Sequence, residues 1–185
     1  MDISFEEGQL HFQFKNVQAG AKFDEQPPGS PDHNFLAGRG LKPVDFIIET
    51  ADRVLFIEIK DPEHTRAKRQ AVAEFKKKVQ GVVLRDELVR KCRDTYLYRT
   101  CTHNLPRKDI HYYVLITGLN VQDLSTLTKQ LLDQLPVLLE RDAELRNLRQ
   151  HGQQWDNFVT ASVAFNLRTW QAQFPDFLVE RRAAE

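Results

Sequence analysis

The stretch that most constrains the fold is "KPVDFIIETADRVLFIEIKDPE", Lys42 to Glu63. It holds the most apolar run in the chain, yet Asp45, Glu58 and Lys60 are set into it. β-Branched and aromatic residues on either side of the polar "TADR" junction predict two strands joined as a hairpin. Side chains alternate along a strand, so Val54, Phe56, Glu58 and Lys60 share one face while Leu55, Ile57 and Ile59 share the other.

If Ala51-Asp52 forms a two-residue turn, Thr50 faces Arg53, and counting outward sets Asp45 opposite Glu58. A shift that sets Asp45 opposite Lys60 keeps all three side chains on one face, whereas a three-residue loop separates them. Directly opposed strand residues have Cβ atoms about 4.5–5.5 Å apart, where like charges are destabilising. Two half-buried carboxylates so placed raise one pKa and share a proton. A divalent cation between them removes the conflict, because Mg²⁺ favours one or two carboxylates with water and phosphate oxygens. Lys60, one strand repeat from Glu58, then stands beside a phosphate or an activated water. The predicted chemistry is metal-dependent phosphodiester hydrolysis.

Asp45, the spacer, and then Glu58-Ile59-Lys60 resemble the motif of the PD-(D/E)XK nuclease superfamily. A charged helix and an apolar strand after "EIK" match the order of that core, and the resemblance covers roughly Leu41 to Gly118. It implies a restriction-endonuclease-like fold, with Asp45, Glu58 and the Ile59 carbonyl as ligands of Mg²⁺ or Mn²⁺. It also implies that Lys60 orients or deprotonates the attacking water, or stabilises the developing charge. The motif's proline is displaced, since Pro43 stands two residues before Asp45. The family often carries a glutamate on a helix before the first core strand. Here the N-terminus reads as strands, and Glu6, Glu7, Asp24 and Glu25 are the candidates. DNA is the expected substrate ahead of RNA, and a homodimer or a larger protein assembly stays open.

The rest of the chain fits an α/β fold with a mixed sheet flanked by helices. "ISFEEGQLHFQF" alternates as a hairpin turning near Glu7-Gly8. Residues 19–40, rich in Pro and Gly, read as a long surface connection. From Thr65 to about Thr100, apolar residues at spacings of three and four predict helix interrupted at Gly81. "IHYYVLITG" reads as a buried strand. Asn120 caps a helix bearing Leu124, Leu127, Leu131 and Leu135 that breaks at Pro136 and resumes to about Arg149. "NFVTASVAF" reads as a further strand and Trp170, Phe174 and Phe177 as an amphipathic piece. All of 1–185 is taken as one domain: N-terminal strands to residue 40, the core at about 41–118, and a helix and strand extension over 119–185. With 185 residues, 41% of them hydrophobic, that domain supports a core without metal or disulfide staples.

Formal net charge is zero, so no bulk field draws the surface to nucleic acid or membrane, and a basic site has to be local. Lys60 to Arg93 holds eleven Lys and Arg against five Asp and Glu, a local excess of +6. Such a segment suits a phosphate backbone, with His64, Arg66, Lys68, Arg69 and Gln80 as candidate substrate contacts. Cys92 and Cys101 lie nine apart, on opposite faces of a helix, and are read as reduced, buried thiols. No apolar run approaches the roughly 20 residues of a membrane span, and "MDISFEEGQL" lacks a leader pattern, so the chain is expected in the cytoplasm.

Two other readings compete. "RNLRQH" resembles the Arg-Asn-x-x-x-His motif of HEPN-type ribonucleases, which would use Arg146 and His151 without metal, although those proteins are helical bundles. A non-catalytic module binding nucleic acid or protein would keep the hairpin as a relic, with Trp155, Trp170, Phe174 and Phe177 available for a partner surface or for the core.

Overall fold

A computed structural model of the chain describes residues 1–25, 40–64, 75, 77–79, 81–135 and 158–182. Its centre is the hairpin of β4 (Phe46–Glu49) and β5 (Arg53–Lys60). Thr50 N donates to Arg53 O at 2.9 Å, and Phe46 pairs with Ile57, the register predicted from the two-residue turn. β5 is buried on both faces from Val54 to Ile59, which is why its sequence is nearly continuous in apolar residues.

β3 (Ala19–Lys22) pairs antiparallel with β4, while β6 (Asp109–Ile116) and β7 (Ala161–Phe165) extend the sheet in parallel beyond β5. The result is a five-stranded mixed sheet in the order β3-β4-β5-β6-β7. Residues 19–22 are therefore an edge strand and not part of a surface connection. Gly20 in their "AGAK" has no room for a side chain: a Cβ there would lie 2.0 Å from Ile3 Cδ1.

Two helices, α1 (Val82–Cys101) and α2 (Val121–Gln134), cover one face. Leu84, Leu88 and Cys92 of α1, with Leu124, Leu127 and Leu131 of α2, pack on Val54, Phe56, Tyr112 and Val114. Gly81 is the N-cap of α1, and Asn120 caps α2 by accepting from Asp123 N at 2.8 Å. Cys92 is buried and burial pushes its thiol above the usual range, but Cys101 is exposed, which corrects the expectation of two buried thiols. The resumed helix to Arg149, and Arg146, His151 and Trp155, lie outside the described residues. Among the described residues no helix is long and apolar enough to cross a membrane.

The other face carries a layer not foreseen in the sequence. β1 (Ile3–Glu7), β2 (Leu10–Phe14) and β8 (Phe177–Arg181) form a separate antiparallel sheet, with β2 central. A short helix, α3 (Leu167–Gln173), sits beside it. The amphipathic piece around Phe174 and Phe177 thus divides into α3 and the start of β8. Phe12, Phe14 and Trp170 are fully buried against Phe46, Ile57 and Leu115, so these aromatics are core.

One ion pair ties the two sheets together just beyond the EIK segment. Asp61 accepts from Arg181 Nη1 and Nη2 at 2.9 and 2.7 Å and from Thr117 Oγ1 at 2.5 Å. Burial works against ionising Asp61, but the Arg181 fork and the Thr117 hydroxyl outweigh it and hold the carboxyl below its usual range. Arg181→Ala is expected to lower stability by about 2 kcal/mol, because it leaves a half-buried carboxylate without its forked partner. Arg181→Lys should recover only part of this loss, since an ammonium cannot make the bidentate contact. Urea denaturation followed by circular dichroism measures both.

Candidate functional site

Asp45, Glu58 and Lys60 come together on the helix-covered side of the hairpin, at the end where β5 finishes. Continuing the β4–β5 register one step past Phe46 and Ile57 places Asp45 opposite Glu58. Asp45 stops the ladder: its Oδ2 accepts from Ile59 N at 2.6 Å. Val44 N instead donates to Thr95 Oγ1 of α1 at 3.0 Å, and Lys42 N donates to Asp94 Oδ2 at 2.8 Å. These bonds dock α1 on the segment that carries Asp45.

That docking brings in Lys91, which the sequence reading placed only in a run of cations. Its ammonium lies 3.3 Å from Asp45 Oδ1, 2.7 Å from Glu58 Oε1 and 2.9 Å from Glu58 Oε2. Lys60 Nζ lies 3.0 Å from Glu58 Oε1 on one side and 3.0 Å from Glu87 Oε1 on the other. Glu58 is wholly buried. Its Oε1 receives no well-directed hydrogen bond although both ammoniums stand within 3.0 Å. Burial opposes charge on Lys60 and Lys91, but Glu58 in both cases, with Glu87 or Asp45, keeps each ammonium above its ordinary pKa.

Helical spacing was the available signal for Lys91. Leu84, Leu88, Lys91 and Thr95 follow one another at four, three and four residues, so Lys91 interrupts the stripe that faces the sheet.

A second acidic group sits near the same end of the sheet. Oxygens of Glu7, Asp24 and Glu25 lie within 4.8 Å of one another, and Lys22 Nζ is 3.0 Å from Glu7 and 2.9 Å from Glu25. Burial, followed by the charge of Asp45, pushes the Asp24 carboxyl up to about 7. Three of the four acids considered as the family's extra carboxylate are thus gathered here. Glu6 instead pairs with Arg182.

The other predicted contacts divide. The His64 ring leans on the β1–β2 turn, its Cδ2 3.5 Å from where a Cβ of Gly8 would lie. Arg66, Lys68, Arg69 and Gln80 lie outside the described residues. On α1 the remaining cations are engaged within the protein. Arg85 pairs with Asp86 at 2.7 Å, Arg90 with Asp94 at 3.3 Å, and Arg93 donates to Gln134 O at 2.7 Å. A cleft of about 1130 Å³, lined by Asp52, Tyr96, His103 and Lys108 among others, is at the opposite end of the sheet. A smaller one of about 360 Å³, lined by Glu63, Gly118, Asn120, Asn166 and Arg168, opens at the same end as Lys60.

The donor set fits a hard divalent cation. Two carboxylates face each other, and one buried oxygen is held by no directed bond. The expected Ile59 ligand is its carbonyl; what Ile59 is seen to contribute is an N–H that fixes Asp45.

Burial, with the facing Asp45, pushes the Glu58 carboxyl up to about 7 against the pull of Lys91 and Lys60. The folded chain therefore holds this proton more tightly than the unfolded chain, and the group's contribution to stability falls as pH rises toward and through about 7. Asp24 acts with the same sign. Glu58→Gln is neutral at every pH, so its Tm in EDTA should decline less between about pH 5 and pH 8 than that of the parent. An equal or steeper decline would show that Glu58 does not carry this proton.

No protein-family model, curated protein or solved structure matches the chain.

Proposed function

We propose that this chain is a divalent-metal-dependent nuclease of the PD-(D/E)XK type, with DNA the expected substrate ahead of RNA. The observation that carries the reading is the meeting of Asp45, Glu58 and Lys60 at one buried end of a hairpin, with Glu58 pushed toward neutrality. Strongly perturbed carboxylates beside fixed cations are common at catalytic sites.

Asp45 and Glu58 would hold Mg²⁺ or Mn²⁺, with the Ile59 carbonyl as the further ligand that the family resemblance implies. When bound there, such an ion supplies Lewis-acid polarisation of a phosphoryl oxygen and a water of lowered pKa. Lys60, kept protonated by Glu58 and Glu87, serves as a fixed positive charge for the phosphate. Asp61, clamped by Arg181, fixes the backbone immediately after Lys60.

A second reading has its own support. Lys91 and Lys60 neutralise the two carboxylates without any metal, so the cluster is self-sufficient as a structural ion network inside a non-catalytic module. The metal-independent reading through Arg146 and His151 is disfavoured by the eight strands among the described residues.

The test is cleavage of single- and double-stranded DNA and of RNA in Mg²⁺, Mn²⁺ or EDTA. Asp45→Asn keeps an oxygen for Ile59 N and removes the charge, and Lys60→Ala removes the ammonium. Each is expected to lower cleavage by roughly 100-fold or more while the far-ultraviolet circular dichroism stays unchanged. Wild-type rates in either variant, or cleavage that survives EDTA, would overturn the assignment.

A further inference from the structure

Lys91 has a position that neither the motif nor the proposed mechanism uses. Its Nζ is the one atom of the cluster that touches both carboxylates, whereas Lys60 touches Glu58 and turns its other side to Glu87. The place between Asp45 and Glu58 is therefore already filled by a monovalent cation. A divalent ion bound by the same oxygens would lie within a few ångströms of that ammonium, and two cations at such a separation repel strongly in a dry site.

We infer that Lys91 is a displaceable internal counter-ion: it holds the cation position while the site lacks metal and must leave for Mg²⁺ or Mn²⁺ to bind. This inference rests on the metal-dependent reading above. The structure provides both a way out and a resting place. The Lys91 side chain is 14% exposed, so it is not sealed in. Glu87 stands one helical turn earlier, an i,i+4 Glu–Lys arrangement in its favourable order. Glu87 is 46% exposed and already feels the Lys91 charge. A lysine's flexible stem allows an exchange from the buried acids to Glu87 without moving α1.

Two consequences follow. Without metal the carboxylates stay neutralised and the hairpin end stays folded, so the fold does not depend on metal. Metal affinity is set by a competition, because binding includes the work of expelling Lys91.

The test is calorimetric titration of Mn²⁺ into the full chain and into Lys91→Met, with Tm measured in EDTA and in Mn²⁺. Lys91→Met is expected to bind Mn²⁺ roughly tenfold or more tightly than wild type, the reciprocal of a coupling lost. It should also melt lower than wild type in EDTA and gain more from Mn²⁺. Equal or weaker affinity in Lys91→Met overturns the counter-ion role and leaves the metal site standing. Absence of Mn²⁺ binding in both proteins overturns the metal-dependent reading and this inference with it. A measurement on wild type alone guards against a variant that does not fold. Acylation of lysine amines, mapped by mass spectrometry, should label Lys91 several-fold faster in Mn²⁺ than in EDTA. Unchanged labelling overturns displacement.

Discussion

Asp45 and Glu58 are two carboxylates brought opposite each other by a hairpin whose register leaves them no choice. The β4–β5 pairing is fixed by a two-residue turn and by Phe46, Ile47, Ile48 and Val54 to Ile57, which are buried on one face or the other. A slip of one residue would turn all of these to the wrong side. The packing of the sheet therefore forces like charges together in a place from which water is largely excluded. A proton or a cation has to relieve that repulsion, and the surrounding architecture supplies a cation. Thr95 and Asp94 hold α1 against residues 42–44, and that contact aims Lys91 at the pair.

The second sheet has a corresponding role on the far face. Phe46 is adjacent in sequence to Asp45 and points the other way, into Phe5, Phe12 and Phe14 at ring separations of 5.0 to 6.2 Å. An aromatic cluster of this size anchors the strand that presents Asp45, as the Asp61–Arg181 fork anchors the residues after Lys60. Loosening the small sheet would free both ends of the site. The site is thus supported from behind by residues that never approach it.

Much of this was legible because it rests on short-range rules. Parity along a strand, a tight turn and an Asn cap each depend on a few consecutive residues, and the register, β6 and the start of α2 followed from them. What was not legible depends on packing between distant segments. Lys91 read as one member of a basic run, because the +6 excess masked its place on the Leu84–Leu88–Thr95 stripe. β3 was missed because "AGAK" has weak strand propensity and its Gly20 answers to Ile3 on another sheet. β8 was missed because Phe174 and Phe177 keep an amphipathic spacing across a helix end. Of the basic run, Arg85, Arg90 and Arg93 have acceptors within the protein, while Arg66, Lys68 and Arg69 lie outside the described residues.

The charge state of Lys60 bears on its place in the proposed chemistry. An ammonium held between Glu58 and Glu87 is stabilised in its protonated form, so it cannot take a proton from water near neutral pH. A lysine acting as a general base needs the opposite environment, apolar or beside another cation, where its pKa falls. Lys91 is close, but it lies across Asp45 and Glu58, and Glu58 with Glu87 keeps Lys60 above its ordinary pKa. The surroundings of Lys60 thus favour one of the roles that the motif leaves open. In the proposed chemistry it would stand as a permanent positive charge for a phosphate that becomes more negative as the reaction proceeds.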